Sequence, residues 1–152
     1  MLSDSHKADN ILLKETIMSA ASNYLENKVL DHVLTSTGYT APSTRYLALF
    51  TNGSGNAAAN LEAGTLTDEV SGNGYSRKTV TFGSATGGSS ATNATVTFDA
   101  ATGNWGTITH VAVMDQSTGG NVLFWGAVTT SKTIESGDTF QVSSGNLTVS
   151  LA

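Results

Sequence analysis

Cysteine is missing from this 152-residue chain. That excludes disulfide bridges, thiolate metal centres and cysteine nucleophiles, and leaves the redox compartment open. Proline occurs once, at Pro42. Charge is scarce: Asp, Glu, Lys and Arg make up 12% of the residues, against roughly 25% in an ordinary soluble domain. Seven basic residues face twelve acidic ones, giving a net charge of −5, and Arg77-Lys78 is the only adjacent basic pair. A nucleic-acid backbone is neutralised by clustered Lys and Arg, so no nucleic-acid partner is expected. No apolar run approaches the roughly 20 residues of a membrane helix, so no membrane partner is expected either. The stretch Met1-Leu2-Ser3-Asp4-Ser5-His6-Lys7 lacks the basic-then-apolar pattern of a secretory signal. The Asn-x-Ser/Thr triplets at Asn52, Asn93 and Asn146 then read as chance matches rather than glycosylation sites.

What is present is enough apolar material for a core, with 39% hydrophobic residues, and a surface made polar by Ser, Thr, Asn and Gly. Side chains this short lose little entropy when immobilised. Such a surface fits a protein packed against neighbours; an ordinary hydroxyl-rich β domain is the other reading.

The character of the sequence changes near Gly38. Between Asn10 and Leu34, apolar residues at 17/21/25/29/33 and 30/34 fall on one helical face. Asn23, followed by Glu26, is a candidate capping box, so a helix is expected over 23–38, ended by Gly38. Residues 1–22 then form an N-terminal extension or assembly arm, and 39–152 a β-sandwich domain, all within one domain. From Arg45 the period becomes two. Strands are expected at 45–51, 76–82, 94–98, 108–114, 122–128, 139–143 and 147–151, separated by Gly-rich turns. The runs His110–Met114 and Val122–Trp125 are apolar on both faces and suit central strands. Residues 52–68 read as a long loop. Thr79–Gly87 is echoed at Thr95–Gly103, two similar strand-and-turn units rather than a solenoid. The fold class is mainly β: an antiparallel sandwich or jelly-roll-like barrel with an N-terminal α-helix.

Chemistry is hard to find. His6, His32 and His110 share neither helical nor strand spacing, so no metal site is nominated. No Gly-x-Ser-x-Gly elbow occurs. Gly83–Gly88 is Gly-rich but has no following Lys, so it is not a phosphate loop. Asp115–Gly119 lacks the alternating acids of a calcium loop. Glu62, Asp68, Glu69, Glu135 and Asp138 are scattered carboxylates that suit turns better than paired acid catalysis. Trp105, Trp125, Tyr39, Tyr46 and Tyr75 are candidates for a carbohydrate groove. Trp105, flanked by glycines, is the candidate interface anchor, with packing on its own domain as the alternative.

The segment Asn23–Leu34, then Tyr46–Thr51, Glu69–Arg77, Trp105–His110, Asp115–Asn121 and Ser136–Asp138, in that order, resembles a family of small tailed-bacteriophage virion proteins. These are labelled tail-fibre-like or minor structural proteins, and the resemblance covers Ser22 onward. It implies a virion structural protein without enzymatic activity, on the capsid surface or the tail. A short chain lacks the shaft of a complete fibre. An oligomeric capsid decoration or cement protein is therefore the first expectation, and a tail-associated or tail-fibre protein aiding host attachment the second. A glycan-degrading enzyme is the reading from another class. The expected partners are further copies of the chain and the major capsid protein or tail proteins, with a host-surface glycan if the protein sits on the tail. Interface candidates are Trp105, Tyr24, Leu25, His32 and Tyr75. No catalytic residue, metal ligand or cofactor is nominated.

Overall fold

A computed structural model describes residues 6–18 and 20–151. In chain order the elements are strands β1 (Asn10–Leu12), β2 (Thr16–Met18) and β3 (Ala20–Ala21), helix α1 (Asn23–Leu34), β4 (Arg45–Phe50), the short helix α2 (Ala57–Glu62), β5 (Lys78–Val80), β6 (Ser89–Ala91), β7 (Val96–Thr97), β8 (Gly106–Met114), β9 (Val122–Ile134), β10 (Thr139–Val142) and β11 (Leu147–Ser150). The mainly β class with a helix near the N-terminus is as expected. Among the described residues the strands form three open sheets and no closed barrel.

The largest sheet has the order β3-β9-β8-β4-β5. Its central strands are apolar on both faces because both are covered. Leu47, Leu49, Val111, Val113 and Leu123 point into the main core. There they meet Met18, Val96, Phe98, Phe140, Val142 and Leu147 from the two three-stranded sheets. Ala48, Phe50, Ala112, Met114 and Val122 point the other way, onto Leu61 of α2. The expected central strands are thus found, with β8 in the middle of the sheet.

Several boundaries differ from expectation. Residues 10–21 carry part of the helical stripe, yet form three short strands. β1 runs parallel to β10, pairing Asn10 with Thr139, and β2 runs parallel to β11, pairing Thr16 with Leu147. β3 is antiparallel to β9. Strands β1, β2 and β3 of the expected arm therefore pair with strands of their own chain, and residues 1–5 and 19 fall outside the described residues. Cross-strand backbone pairing outweighs a helical periodicity that local propensity supports only weakly here. The helix begins at Asn23, as expected, but its cap lies one residue earlier: Ser22, not Asn23, is the N-cap, and its hydroxyl accepts the Leu25 N–H at 3.3 Å. It ends at Leu34, short of Gly38, where the Thr35 N–H and hydroxyl both turn back to the Asp31 carbonyl. The expected loop 52–68 contains α2, an Ala-rich turn whose first N–H is taken by the Asn52 side chain at 2.9 Å.

Candidate assembly surface

Helix α1 is mounted the wrong way round for a helix that serves only its own domain. An amphipathic surface helix normally turns its apolar stripe inward. Here Leu25 is its one buried residue, flanked by half-buried Tyr24 and Lys28. The Lys28 ammonium lies 5.7 Å from the centre of the Tyr24 ring. Val29, Leu30, Val33 and Leu34, at i and i+4 spacing over the last two turns, are 42%, 54%, 70% and 73% exposed. Ser22 fixes this orientation from the other end: its hydroxyl donates to the Val122 carbonyl on β9 while capping the helix. Beyond the helix, the Tyr39 N–H donates to His32 Nδ1 at 3.3 Å, tying the descending chain to the helix.

Beside α1 lies an apolar cavity of about 340 Å³, walled by Leu25, Val29, Tyr39, Phe82, Val149 and Leu151 among others. Among the described residues Arg45 is the one charged residue in its lining. Burial raises the Tyr39 phenol above its ordinary range, helped by the neighbouring Tyr24 and Asp115, so it lines the cavity as a neutral group. Leu151 at the rim is 60% exposed. The exposed helix stripe and the cavity share Val29 and form one continuous apolar surface.

The other aromatic candidates are dispersed. Trp105 is only 5% exposed. It packs edge-on against Tyr75 (centroids 5.5 Å apart) and Phe98 (6.3 Å), and its indole N–H donates to the Asn73 carbonyl at 2.9 Å. Tyr75 donates its hydroxyl proton to Glu69 and accepts the Leu49 N–H at 3.0 Å. Burial drives its pKa far above the phenol range. Of the five interface candidates Trp105 and Leu25 are buried, Tyr24 and Tyr75 are half-buried, and His32 alone is exposed. Trp125 and Tyr46 pack on the α2 side of the main sheet, away from Trp105 and Tyr75. No single groove collects the tryptophans and tyrosines.

The carboxylates singled out in the sequence are already engaged. Asp68 accepts from the Ser54 N–H, the Ser54 hydroxyl and the Asn60 amide, and the two bonds from Ser54 do most to lower its pKa. Glu62 accepts the Trp125 indole N–H at 2.9 Å, and Asp115 takes two donors from Asn121. His110 is held neutral by burial, against the weaker opposing field of Asp68. It sits beside the Trp125 ring, with Thr109 Oγ1 at 2.9 Å from its Nδ1. Among the described residues no group of three or more His, Asp or Glu side chains is placed to hold a metal ion.

Sequence reasoning missed two features. The helical spacing of 29/30/33/34 was visible, but the direction in which that face points depends on the Ser22–Val122 contact, which has no sequence signature. The second feature joins His6 to Glu135 and Asp138, with imidazole nitrogens 2.6 and 2.7 Å from the two carboxylates. No sequence spacing relates residues so far apart.

A comparison with curated proteins finds no match. A family model described as podophage GP4 fiber I protein gp80 matches residues 20–150, nearly the whole chain. The match begins just before the Ser22 cap and takes in α1, the main sheet and two strands of each smaller sheet; β1 and β2 lie before it. It agrees with the resemblance carried by the short motifs, and it places the protein in the virion as a structural component. This chain belongs to the podophage GP4 fiber I protein gp80 family.

Proposed function

We propose that the chain is a non-enzymatic subunit of the phage tail fibre, working through contacts with other virion proteins. The observation that carries this reading is the fibre description of a family model matching residues 20–150. The engaged carboxylates and the outward-facing apolar helix support it, because they suit a protein that is held in place rather than one that turns over a substrate. A capsid decoration protein is the second reading, favoured by the low-charge, hydroxyl-rich surface. The two differ in position and number. Antibody labelling of intact particles in the electron microscope, with copy number from quantitative mass spectrometry, should place the protein at the tail in a small number of copies. Labelling spread over the shell with many copies supports decoration instead. A host-surface glycan is a partner only in the tail reading. Binding of the purified protein to host cells, competed by their surface polysaccharide and leaving that polysaccharide uncut, is the expected result.

A further inference from the structure

A host-surface glycan, the partner that comes with the tail reading, needs a place on this chain to bind. We propose that it binds in the open groove between the segment before β4 and the turn after β8, and that this groove takes a neutral sugar unit. The inference rests on the tail reading and gives it a site.

The groove has a volume of about 390 Å³, at the lower end of ligand pockets. Ser43 and Thr44 line one side, Gln116 and Ser117 the other, with Tyr46 and Asp115 between them. Strand register brings the two central residues together. Tyr46 near the start of β4 lies opposite Met114 at the end of β8, and Asp115 is the next residue.

The turn that forms one wall is fixed by its own chain. The Asp115 N–H donates to the Asn121 carbonyl at 3.2 Å. In return the Asn121 N–H and side-chain amide donate to the two Asp115 carboxylate oxygens at 2.7 and 2.8 Å. From behind, Arg77 Nη1 donates to the Gln116 and Gly119 carbonyls at 2.7 Å. Gly120 has a φ of +71°, and a Cβ there would collide with Asp115 Oδ1 and the Gln116 side chain. Glycine at that position is what lets the turn close on the carboxylate. A wall ordered in advance costs little entropy when a ligand arrives.

The lining has the chemistry of a sugar site. An ionised carboxylate can accept about two hydrogen bonds on each oxygen. Asn121 takes one on each Asp115 oxygen, which leaves one on each for a pair of neighbouring sugar hydroxyls. The hydroxyls of Ser43, Thr44 and Ser117 and the Gln116 amide both donate and accept, as a sugar does. Tyr46 is half-buried against the α2-side core, and its ring adds an apolar surface for the C–H side of a sugar. Among the described residues Asp115 is the one charged group in the lining. An acidic sugar or a phosphate would meet a like charge with no cation to offset it, so the groove discriminates in favour of neutral units.

The test uses the full chain and saturation-transfer NMR. The probes are neutral oligosaccharides released from host-surface polysaccharide, with uronic-acid-containing oligosaccharides as the acidic comparison. Transfer should reach the neutral probes and not the acidic ones. Ser117→Arg fills the groove from an exposed position; it should abolish transfer while its thermal melt stays as in the wild type. Asp115→Asn keeps the shape and removes the charge, and should weaken binding at least about tenfold. Wild type without transfer to any neutral probe at millimolar concentration overturns the proposal. So does a folded Ser117→Arg variant that binds as the wild type does, or a preference for the acidic probes. Particle labelling tests the tail reading separately. A protein labelled at the tail that gives either negative result loses the groove and keeps the tail reading. Labelling over the shell removes the tail reading, while transfer lost in Ser117→Arg still supports the groove.

Discussion

Arg77 and Glu69 meet as a two-pronged pair, with Nε donating to Oε1 and Nη2 donating to Oε2, each at 2.7 Å. The guanidinium is buried, and its remaining Nη1 donates to the carbonyls of Gln116 and Gly119 at 2.7 Å. One side chain thus joins the segment before β5 to the turn between β8 and β9. Removing it leaves the half-buried Glu69 carboxylate with only the Tyr75 hydroxyl and leaves two carbonyls without the donor they share. Arg77→Ala should lower stability by about 3 kcal/mol, read as a shift of the urea midpoint with unchanged slope. Arg77→Lys should recover little, because an ammonium cannot reproduce the planar fork.

Trp105 fills the space among Tyr75, Phe98 and Asn73 rather than reaching a surface. Trp105→Ala should cost about 4 kcal/mol through the cavity it opens. Thermal melting checks this. A variant that melts like the wild type but loses a binding activity would move Trp105 back to an interface role.

His6 sits between Glu135 and Asp138, with Asp9 adding to the acidic field around it. The hydrogen bond to Asp138 is the chief cause raising its pKa above 6.5. Burial pushes the Asp138 carboxyl up, but donors from the Glu135 and Asp9 backbone and from His6 outweigh it and bring its pKa below 3.8. A raised histidine stabilises the fold fully below 6.5 and loses that contribution as pH climbs through the folded value. A lowered aspartate contributes fully above 3.8 and loses it as pH falls through its own folded value. The segment from His6 to Met18 should therefore be held most tightly between about pH 4 and 6.5. Hydrogen exchange at β1 amides should accelerate relative to the core strands when pH is raised from that window to 8, after correction for intrinsic exchange. His6→Gln should flatten the difference.

Ser22 is fully buried and serves two neighbours at once, capping α1 and donating to the Val122 carbonyl. Ser22→Ala should lower stability by about 2 kcal/mol, the upper end of a cap loss, because the carbonyl also loses its donor. Helical ellipticity near 222 nm and the urea midpoint should fall together.

At Gly126 a Cβ would stand 3.1 Å from Met18 Cγ and 3.2 Å from the Ile17 carbonyl oxygen. β2 lies across β9 only because that side chain is missing. Gly126→Val should lift β2 away, making the Lys14–Met18 stretch the first site cut in limited proteolysis.

Much of the β architecture was legible because the alternation in Leu147–Val149 records which face is buried, and the unbroken apolar runs Leu47–Phe50 and Val111–Met114 record strands covered on both faces. Helix α1 was legible from its spacing over 25–34. The strands over 10–21 were not, since their partners lie in β9, β10 and β11, and pairing between distant segments leaves no local pattern. The apolar residues of α1 were read correctly as one face, but periodicity does not say toward what a face points. Trp105 looked like a turn residue because of its glycine neighbours. Those glycines let the chain bend so that the indole can turn inward.

The parallel pairing of β1 with β10 and of β2 with β11 has a consequence for synthesis. During translation β1 and β2 leave the ribosome early, yet β1 has no partner until the chain as far as Val142 has been made, and β2 none until Ser150. Contacts this distant in sequence are slow to close and leave apolar strands uncovered meanwhile. An interrupted chain would keep Leu13 and Met18 bare, both of them buried in the finished fold. Only a chain translated through β11 hides them, so incomplete copies would be marked by exposed apolar strands before any could be built into a particle.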